Sequence, residues 1–229
     1  MKKISKRIAK LNALKTKEIY SFQEGVKLLK TFQSVKFEES MEAHIALNLD
    51  PKYANQQLRT SFVLPYGTGK KVRIAVFTTP DNVKKVLELG AALAGSDDLL
   101  EEIQAGTLNF DILLTTPDLM PKLARLGKIL GPKGLMPSPK SGTVTQNLEE
   151  SLKEFQKGKV EYRADKTGVV HLLFGKINFS EEELQENLLS IYESLEKNKP
   201  TGVKGRYFKS FSICTTMSPA IKIDFTTFK

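Results

Sequence analysis

The chain has no tryptophan, one cysteine and two histidines in 229 residues, and each scarcity removes a class of protein. Cys214 alone cannot close an internal disulfide, and with His44 and His171 it fits no zinc-motif spacing. A catalytic triad would need one of those histidines, and both fall in strand-like stretches with no nucleophile elbow nearby. No run of about 18 apolar residues occurs, so no membrane-spanning helix is expected. The basic start, Met1-Lys-Lys-Ile-Ser-Lys-Arg, lacks an apolar segment behind it and reads as neither a secretory signal nor a transit peptide.

Phosphate-binding motifs are missing as well. Gly67-Thr-Gly69-Lys70 has Leu64 where a Walker loop requires glycine, and Lys71 where it requires a hydroxyl. No Gly-x-Gly-x-x-Gly turn follows the first strand of the middle segment, where a dinucleotide fold would have it. These gaps argue against the main enzymatic alternative, a hinge-closing enzyme for a phosphorylated small molecule. The expectation is no catalytic residue, no cofactor and no metal.

Basic charge is what the chain has in excess. The formal charge is +9, which points to a polyanion, either nucleic acid or an anionic membrane surface. Its distribution favours nucleic acid. Residues 1–68 with 159–229 carry +8, whereas residues 69–158 carry +1. The seven basic residues from Lys2 to Lys17, with Ile4, Ile8 and Leu11 at helical spacing, read as a basic amphipathic helix. Its narrow apolar stripe suits docking on its own domain better than a membrane.

The pattern of elements changes where the charge does. Ser21-Phe-Gln-Glu24 is a capping box opening a helix with Val26, Leu29 and Phe32. Alternation from Met41 to Leu49 predicts a half-buried strand, and Leu58 to Leu64 a second. From Val72 the chain runs as short apolar strands each followed by a helix. Thr-Thr-Pro-Asp recurs at 78–81 and 115–118, and glycines at 90, 106 and 127 are read as helix stops. Asn147 is read as the cap of a last helix, with Gly158 as its stop. Alternation returns at Val160–Ala164 and Val169–Phe174, read as a hairpin through Asp165-Lys-Thr-Gly168. A Ser180 capping box and two closing strands complete the chain. The predicted fold is α/β in two domains: a discontinuous α+β outer domain, residues 1–68 plus 159–229, and an inserted Rossmann-like α/β domain, residues 69–158. Gly67, Gly69 and Gly158 stand at the two connections and read as a double hinge.

The inserted segment carries a long loop, Gly127-Lys-Ile-Leu-Gly131-Pro-Lys-Gly134-Leu-Met-Pro137-Ser-Pro139-Lys-Ser-Gly142-Thr-Val144. Its glycines permit positive φ and its prolines withhold N–H groups, so neither a long helix nor a strand can cross it. Lys128, Lys133 and Lys140 stand among these breakers, with no acid from Leu119 to Leu148. Elsewhere, Lys36-Phe37 could pair a phosphate contact with a stacking ring, although spacing alone makes Phe37 a core residue. Arg163, Lys166 and His171 fall around the hairpin. Ser212 to Pro219 is a hydroxyl-rich turn with an exposed-looking Met217, beside a Cys214 expected to be buried and unreactive.

The string Leu130-Gly-Pro-Lys-Gly-Leu-Met-Pro-Ser-Pro-Lys-Ser-Gly-Thr-Val144 resembles the signature of the ribosomal protein L-one family. Asp50-Pro51 with Gln56 and Arg59, Leu64-Pro-Tyr-Gly67-Thr-Gly69, Tyr162-Arg163, Lys199-Pro200 and Thr215-Thr216-Met217 extend the likeness over essentially the whole chain. The resemblance implies a monomer when free, seated on large-subunit rRNA through Lys36, Phe37, Ser40, Glu42, Arg163, Lys166, Ser212, Thr216, Met217 and Ser218. It also implies a mobile stalk of the ribosome that meets exit-site tRNA, and, in many bacteria, repression of the family's own operon mRNA. A free mRNA regulator with no ribosomal seat is the remaining alternative. Two departures stand out: Ser218-Pro219 where the family usually has glycine, and Asn55 where it has aspartate. Asp50-Pro-Lys-Tyr53 and Ile213-Cys214 look most like plastid and cyanobacterial members, which implies a ribosome in plastid stroma or bacterial cytoplasm.

Overall fold

The computed structural model describes residues 5–32 and 35–228. In chain order its elements are α1 (Lys6–Ala13), β1 (Ile19–Tyr20), α2 (Phe22–Thr31), β2 (Ser40–Leu47), β3 (Arg59–Val63), β4 (Ile74–Phe77), α3 (Pro80–Glu88), β5 (Leu93–Gly95) and α4 (Asp97–Gln104). There follow β6 (Ile112–Thr115), α5 (Met120–Ala124), α6 (Gly127–Leu130), α7 (Leu148–Lys157), β7 (Lys159–Arg163), β8 (Val169–Lys176), α8 (Glu181–Lys197), β9 (Phe208–Thr215) and β10 (Ile221–Ile223). The result is a mixed α/β protein with several sheets. It divides into two compact units, Met1–Gly69 with Tyr162–Lys229, and Lys70–Glu161. Among the described residues no helix is long and apolar enough to cross a membrane.

Unit 1 is built on a five-stranded sheet in the order β1-β10-β9-β2-β8, antiparallel except where β1 meets β10. Met41, Ala43, Ile45 and Leu47 of β2 are buried, while Ser40, Glu42, His44 and Ala46 between them are half-exposed. Period-two alternation therefore leaves one face for the core and one for solvent. The core face is closed by α2, through Val26 and Leu29, and by α8, through Leu184, Leu188, Ile191 and Leu195. Both helices start at complete capping boxes, Ser21 with Glu24 and Ser180 with Glu183. Gly25 lets α2 lie against the sheet, since a Cβ there would collide with the Ile223 side chain of β10.

Asn187 of α8 is fully buried and acts as a polar anchor. Its Nδ2 donates to the carbonyls of Gly67 (3.0 Å) and Phe174 (2.9 Å), and its Oδ1 accepts from the Tyr66 N–H (3.1 Å). Gly67, expected as a hinge point, is thereby tied into unit 1.

Unit 2 has a three-stranded parallel sheet, β5-β4-β6. Every residue of β4 is buried, because helices cover both of its faces. Ala75 and Phe77 face Leu99, Ile103, Leu123 and Leu126 on one side. Ile74 and Val76 face Val86, Leu148, Leu152 and Phe155 on the other. Asp111 fixes the strand entrances, accepting from the Arg73 backbone N–H (3.1 Å) and from Lys70 Nζ (3.0 Å). Both Thr-Thr-Pro-Asp copies follow a strand, but only the first opens a full α-helix. The second opens a 3-10 turn, Pro117–Leu119, that runs into α5.

The short basic N-terminal helix is present as Lys6–Ala13, with Leu11 buried; Ile4 lies outside the described residues. Several other sequence expectations are corrected. Asn147 occupies the cap position of α7 without capping it; its side chain donates to Glu150 Oε2 instead. Strands β7 and β8 do flank the Asp165–Gly168 turn, yet they share only the Ala164–Val170 bridge. β7 pairs with β3 and β8 with β2. Gly127 does not stop a helix but begins α6, and Gly131 stays right-handed, its φ −58° and ψ −56°. Within the long loop only Gly134 and Gly142 use positive φ.

Candidate nucleic-acid interface

The open face of the unit 1 sheet brings together side chains from distant parts of the chain. In register, Glu42 of β2 stands opposite Cys214 of β9, and His44 stands between Ser212 of β9 and His171 of β8. Ser40 and Glu42 lie at the end of β2 where β9 runs out into the turn at 215–219. Five expected contact residues, Ser40, Glu42, Thr216, Met217 and Ser218, therefore share one end of this face, and Ser212 lies further along it, opposite His44.

That turn is held tightly by its own hydroxyls. Thr216 Oγ1 accepts from the Ser40 N–H (3.1 Å), and the Thr216 N–H donates to the Ser40 carbonyl (3.0 Å). Ser218 Oγ accepts from the Thr215 N–H (2.9 Å). Beneath them Glu39, 1% exposed, accepts on Oε1 from Thr215 Oγ1 (3.1 Å) and from the Met217 N–H (2.9 Å). Arg7 of α1 donates to the Met217 carbonyl (2.8 Å), and Lys15 Nζ to that of Ala220 (2.7 Å). The basic helix is thus docked on its own unit beside the turn. The turn backbone is hydrogen-bonded from several sides while Met217 stays 42% exposed.

Lys36 and Phe37 sit in the segment leading into β2, and both are exposed. Phe37, at 50% exposure, is not the core residue that its spacing suggests. Lys166 is exposed in the turn before β8, whose first residue pairs with Ala46, six residues along β2 from Ser40 or about 20 Å at strand rise. Arg163 is exposed at the end of β7, in the separate β3-β7 sheet. Lys166 lines a groove with Asp50, Lys52, Lys204 and Lys209. The expected contacts therefore do not form one cluster. Sequence reading missed Glu39, Arg7, Lys204 and Lys209. Glu39 had a signal, since it shares the inward parity of Met41 and Ala43, where an acid needs internal partners.

His44, His171 and Cys214 do meet, although their sequence spacing fits no motif. The Nδ1 atoms of His44 and His171 are 2.8 Å apart, and His44 Nε2 is 3.2 Å from Cys214 Sγ. Cys214 is half-buried on the open face, and burial, with the nearby Glu42 carboxyl, pushes its thiol up to about 11. Burial and the neighbouring His171 lower the pKa of His44.

In unit 2 the long loop is folded on itself. Ser141 Oγ donates to the Ser138 carbonyl (2.9 Å), Thr143 Oγ1 accepts from the Ser138 N–H (2.8 Å), and the Thr115 N–H donates to the Thr143 carbonyl (3.0 Å). Lys128, Lys133 and Lys140 point outward from this frame and are all exposed. Gly158, expected as a hinge, has the left-handed φ of 108° that ends α7.

A model of the Ribosomal protein L1p/L10e family matches residues 29–219. The chain is 55% identical over 229 residues to the large ribosomal subunit protein uL1c of Rhodomonas salina, covering all of this chain and 98% of that one. It is 55% identical over 230 residues to uL1c of Trieres chinensis, covering all of both chains. With the large ribosomal subunit protein uL1 of Prochlorococcus marinus (strain MIT 9215) it shares 51% over 224 residues, 98% of this chain and 95% of the relative. The chain belongs to the ribosomal protein L1p/L10e family, a family of ribosomal proteins and not of enzymes.

Proposed function

We propose that this chain is a structural constituent of the large ribosomal subunit, in a plastid or in bacterial cytoplasm, that holds large-subunit rRNA on the open sheet face of unit 1. Units 1 and 2 then correspond to the family's discontinuous outer domain and its inserted Rossmann-like domain. The observation that carries the reading is a sheet face left without a helix layer, with Met217 exposed in the hydrogen-bonded turn after β9 and Phe37 exposed on the segment that enters the neighbouring strand β2. Exposed aromatic and thioether side chains can stack on bases and riboses, and hydroxyls and lysines can meet 2′-OH groups and phosphates. The charge supports the same side: Lys159 and Glu161 move together to unit 2, so the units still carry +8 and +1.

In this reading Lys36, Arg163 and Lys166 neutralise phosphates, Phe37 and Met217 pack on nucleosides, and Ser40, Glu42, Ser212, Thr216 and Ser218 shape and line the seat. Lys128, Lys133 and Lys140 of unit 2 contact exit-site tRNA through its phosphates, and Gly69 and Gly158 mark the pivots of a mobile stalk. A matching fold in the chain's own operon mRNA would be bound by the same unit 1 face, giving repression.

The test is binding of the full-length chain to large-subunit rRNA. Phe37→Ala with Met217→Ala should weaken it at least tenfold, and Lys128, Lys133 and Lys140 all changed to Ala should leave it within twofold. The opposite pattern would move the rRNA seat to unit 2.

A further inference from the structure

Glu42, His44 and Cys214 converge on the open face of unit 1 although 170 residues separate His44 from Cys214. We propose that these three side chains form a binding site for a zinc-class divalent ion, with His171 as the positioning residue behind His44. One donor atom from each of the three lies within 4.8 Å of the others. His44 Nε2 is 3.2 Å from Cys214 Sγ and 3.8 Å from Glu42 Oε2. A tetrahedral zinc ion, with bonds of about 2.0–2.3 Å, requires its ligand atoms about 3.3–3.6 Å apart. The two separations from His44 bracket that range and the third, between Glu42 and Cys214, is within 4.8 Å, so side-chain rotation of Glu42 completes the site. The strand ladder already fixes the three backbones, with Glu42 directly opposite Cys214 and His44 two residues along the same face.

Ligand chemistry selects the ion. A thiolate, an imidazole and one carboxylate suit a borderline-soft ion such as zinc, whereas magnesium and calcium want oxygen ligands alone. The surroundings of His44 orient it as metal-binding histidines usually are, by a hydrogen bond from the other ring nitrogen. His171 Nε2 faces Asp165 Oδ2 at 3.9 Å, which favours the proton of neutral His171 on that nitrogen. Its Nδ1 then accepts from His44 Nδ1–H across 2.8 Å, and the His44 Nε2 lone pair is directed at Cys214 and Glu42. The His44 and Glu42 side chains are 28% and 42% exposed, so an ion reaches them from solvent and keeps its fourth position open to water.

Cobalt(II) titrated into the reduced full-length protein reads this directly. One equivalent should bind with thiolate-to-cobalt charge-transfer absorption and tetrahedral ligand-field bands, both abolished by added zinc. Cys214→Ser should remove the charge-transfer band, and His44→Gln should weaken cobalt binding at least tenfold. His171→Ala should weaken it about tenfold while the band persists, the usual cost of losing an outer partner. Absence of the band in the native protein would overturn the proposal. So would undiminished cobalt affinity in His44→Gln with a native circular dichroism spectrum. The titration uses no RNA, so its failure leaves the rRNA seat untouched.

Discussion

At the scale of single residues, the side chains that would touch RNA depend on others that the solvent never sees. Glu39 holds the Met217 N–H and the Thr215 hydroxyl from beneath, so Glu39→Ala leaves two donors without an acceptor and opens a cavity. The expected loss is about 2–4 kcal/mol by urea denaturation, while Glu39→Gln, which keeps the acceptor, loses much less. Thr216→Val removes the acceptor for the Ser40 N–H and should lower stability by about 1 kcal/mol, besides weakening RNA binding. The sequence shows only a hydroxyl-rich turn there, because strand pairing between residues 176 positions apart has no local signature. Phe37 was illegible for a related reason. Spacing reports parity within a strand, and Phe37 precedes the strand, where parity no longer fixes which side is buried.

Elements were read well where the cause is local. Both capping boxes, the alternation of β2 and the proline start of α3 follow from side chains within four residues of one another. Partnerships were read less well: the Asp165–Gly168 turn was visible, but that β7 would join β3 and β8 would join β2 depends on contacts across the whole unit. Glycines misled at Gly127 and Gly131, because freedom to take positive φ does not oblige a residue to use it. In unit 2 the entrance to β4 offers a test of electrostatics. The Arg73 backbone N–H, then Lys70, hold the Asp111 pKa down at about 2, from an ordinary 3.8. A depressed carboxylate pKa stabilises the fold above the unfolded value and loses that contribution as pH falls through the folded one. Asp111→Asn should therefore cost about 1 kcal/mol at neutral pH, after allowance for solvent screening. Thermal denaturation of the two proteins should converge as pH falls from about 4 to about 2; a gap that stayed constant would assign the loss to packing.

Over the whole molecule the informative quantity is where charge lies, and that was legible from composition alone. The +8 of unit 1 and the +1 of unit 2 put the excess positive charge on unit 1, while in unit 2 acids balance the bases except around the long loop, from Leu119 to Leu148, where there is no acid. If that loop serves a transient ligand, the Lys128, Lys133 and Lys140 triple alanine variant should assemble into large subunits normally and change the release rate of deacylated tRNA. Salt should weaken the rRNA complex steeply, since each neutralised phosphate releases counterions. The most direct measurement of the central claim is ultraviolet cross-linking of the full-length chain to large-subunit rRNA, with the cross-linked residues identified by mass spectrometry. The account predicts adducts at Phe37, Met217 and their neighbours on the open sheet face, and none on α8. Adducts concentrated on α8 or on unit 2, with the open face unmarked, would contradict it.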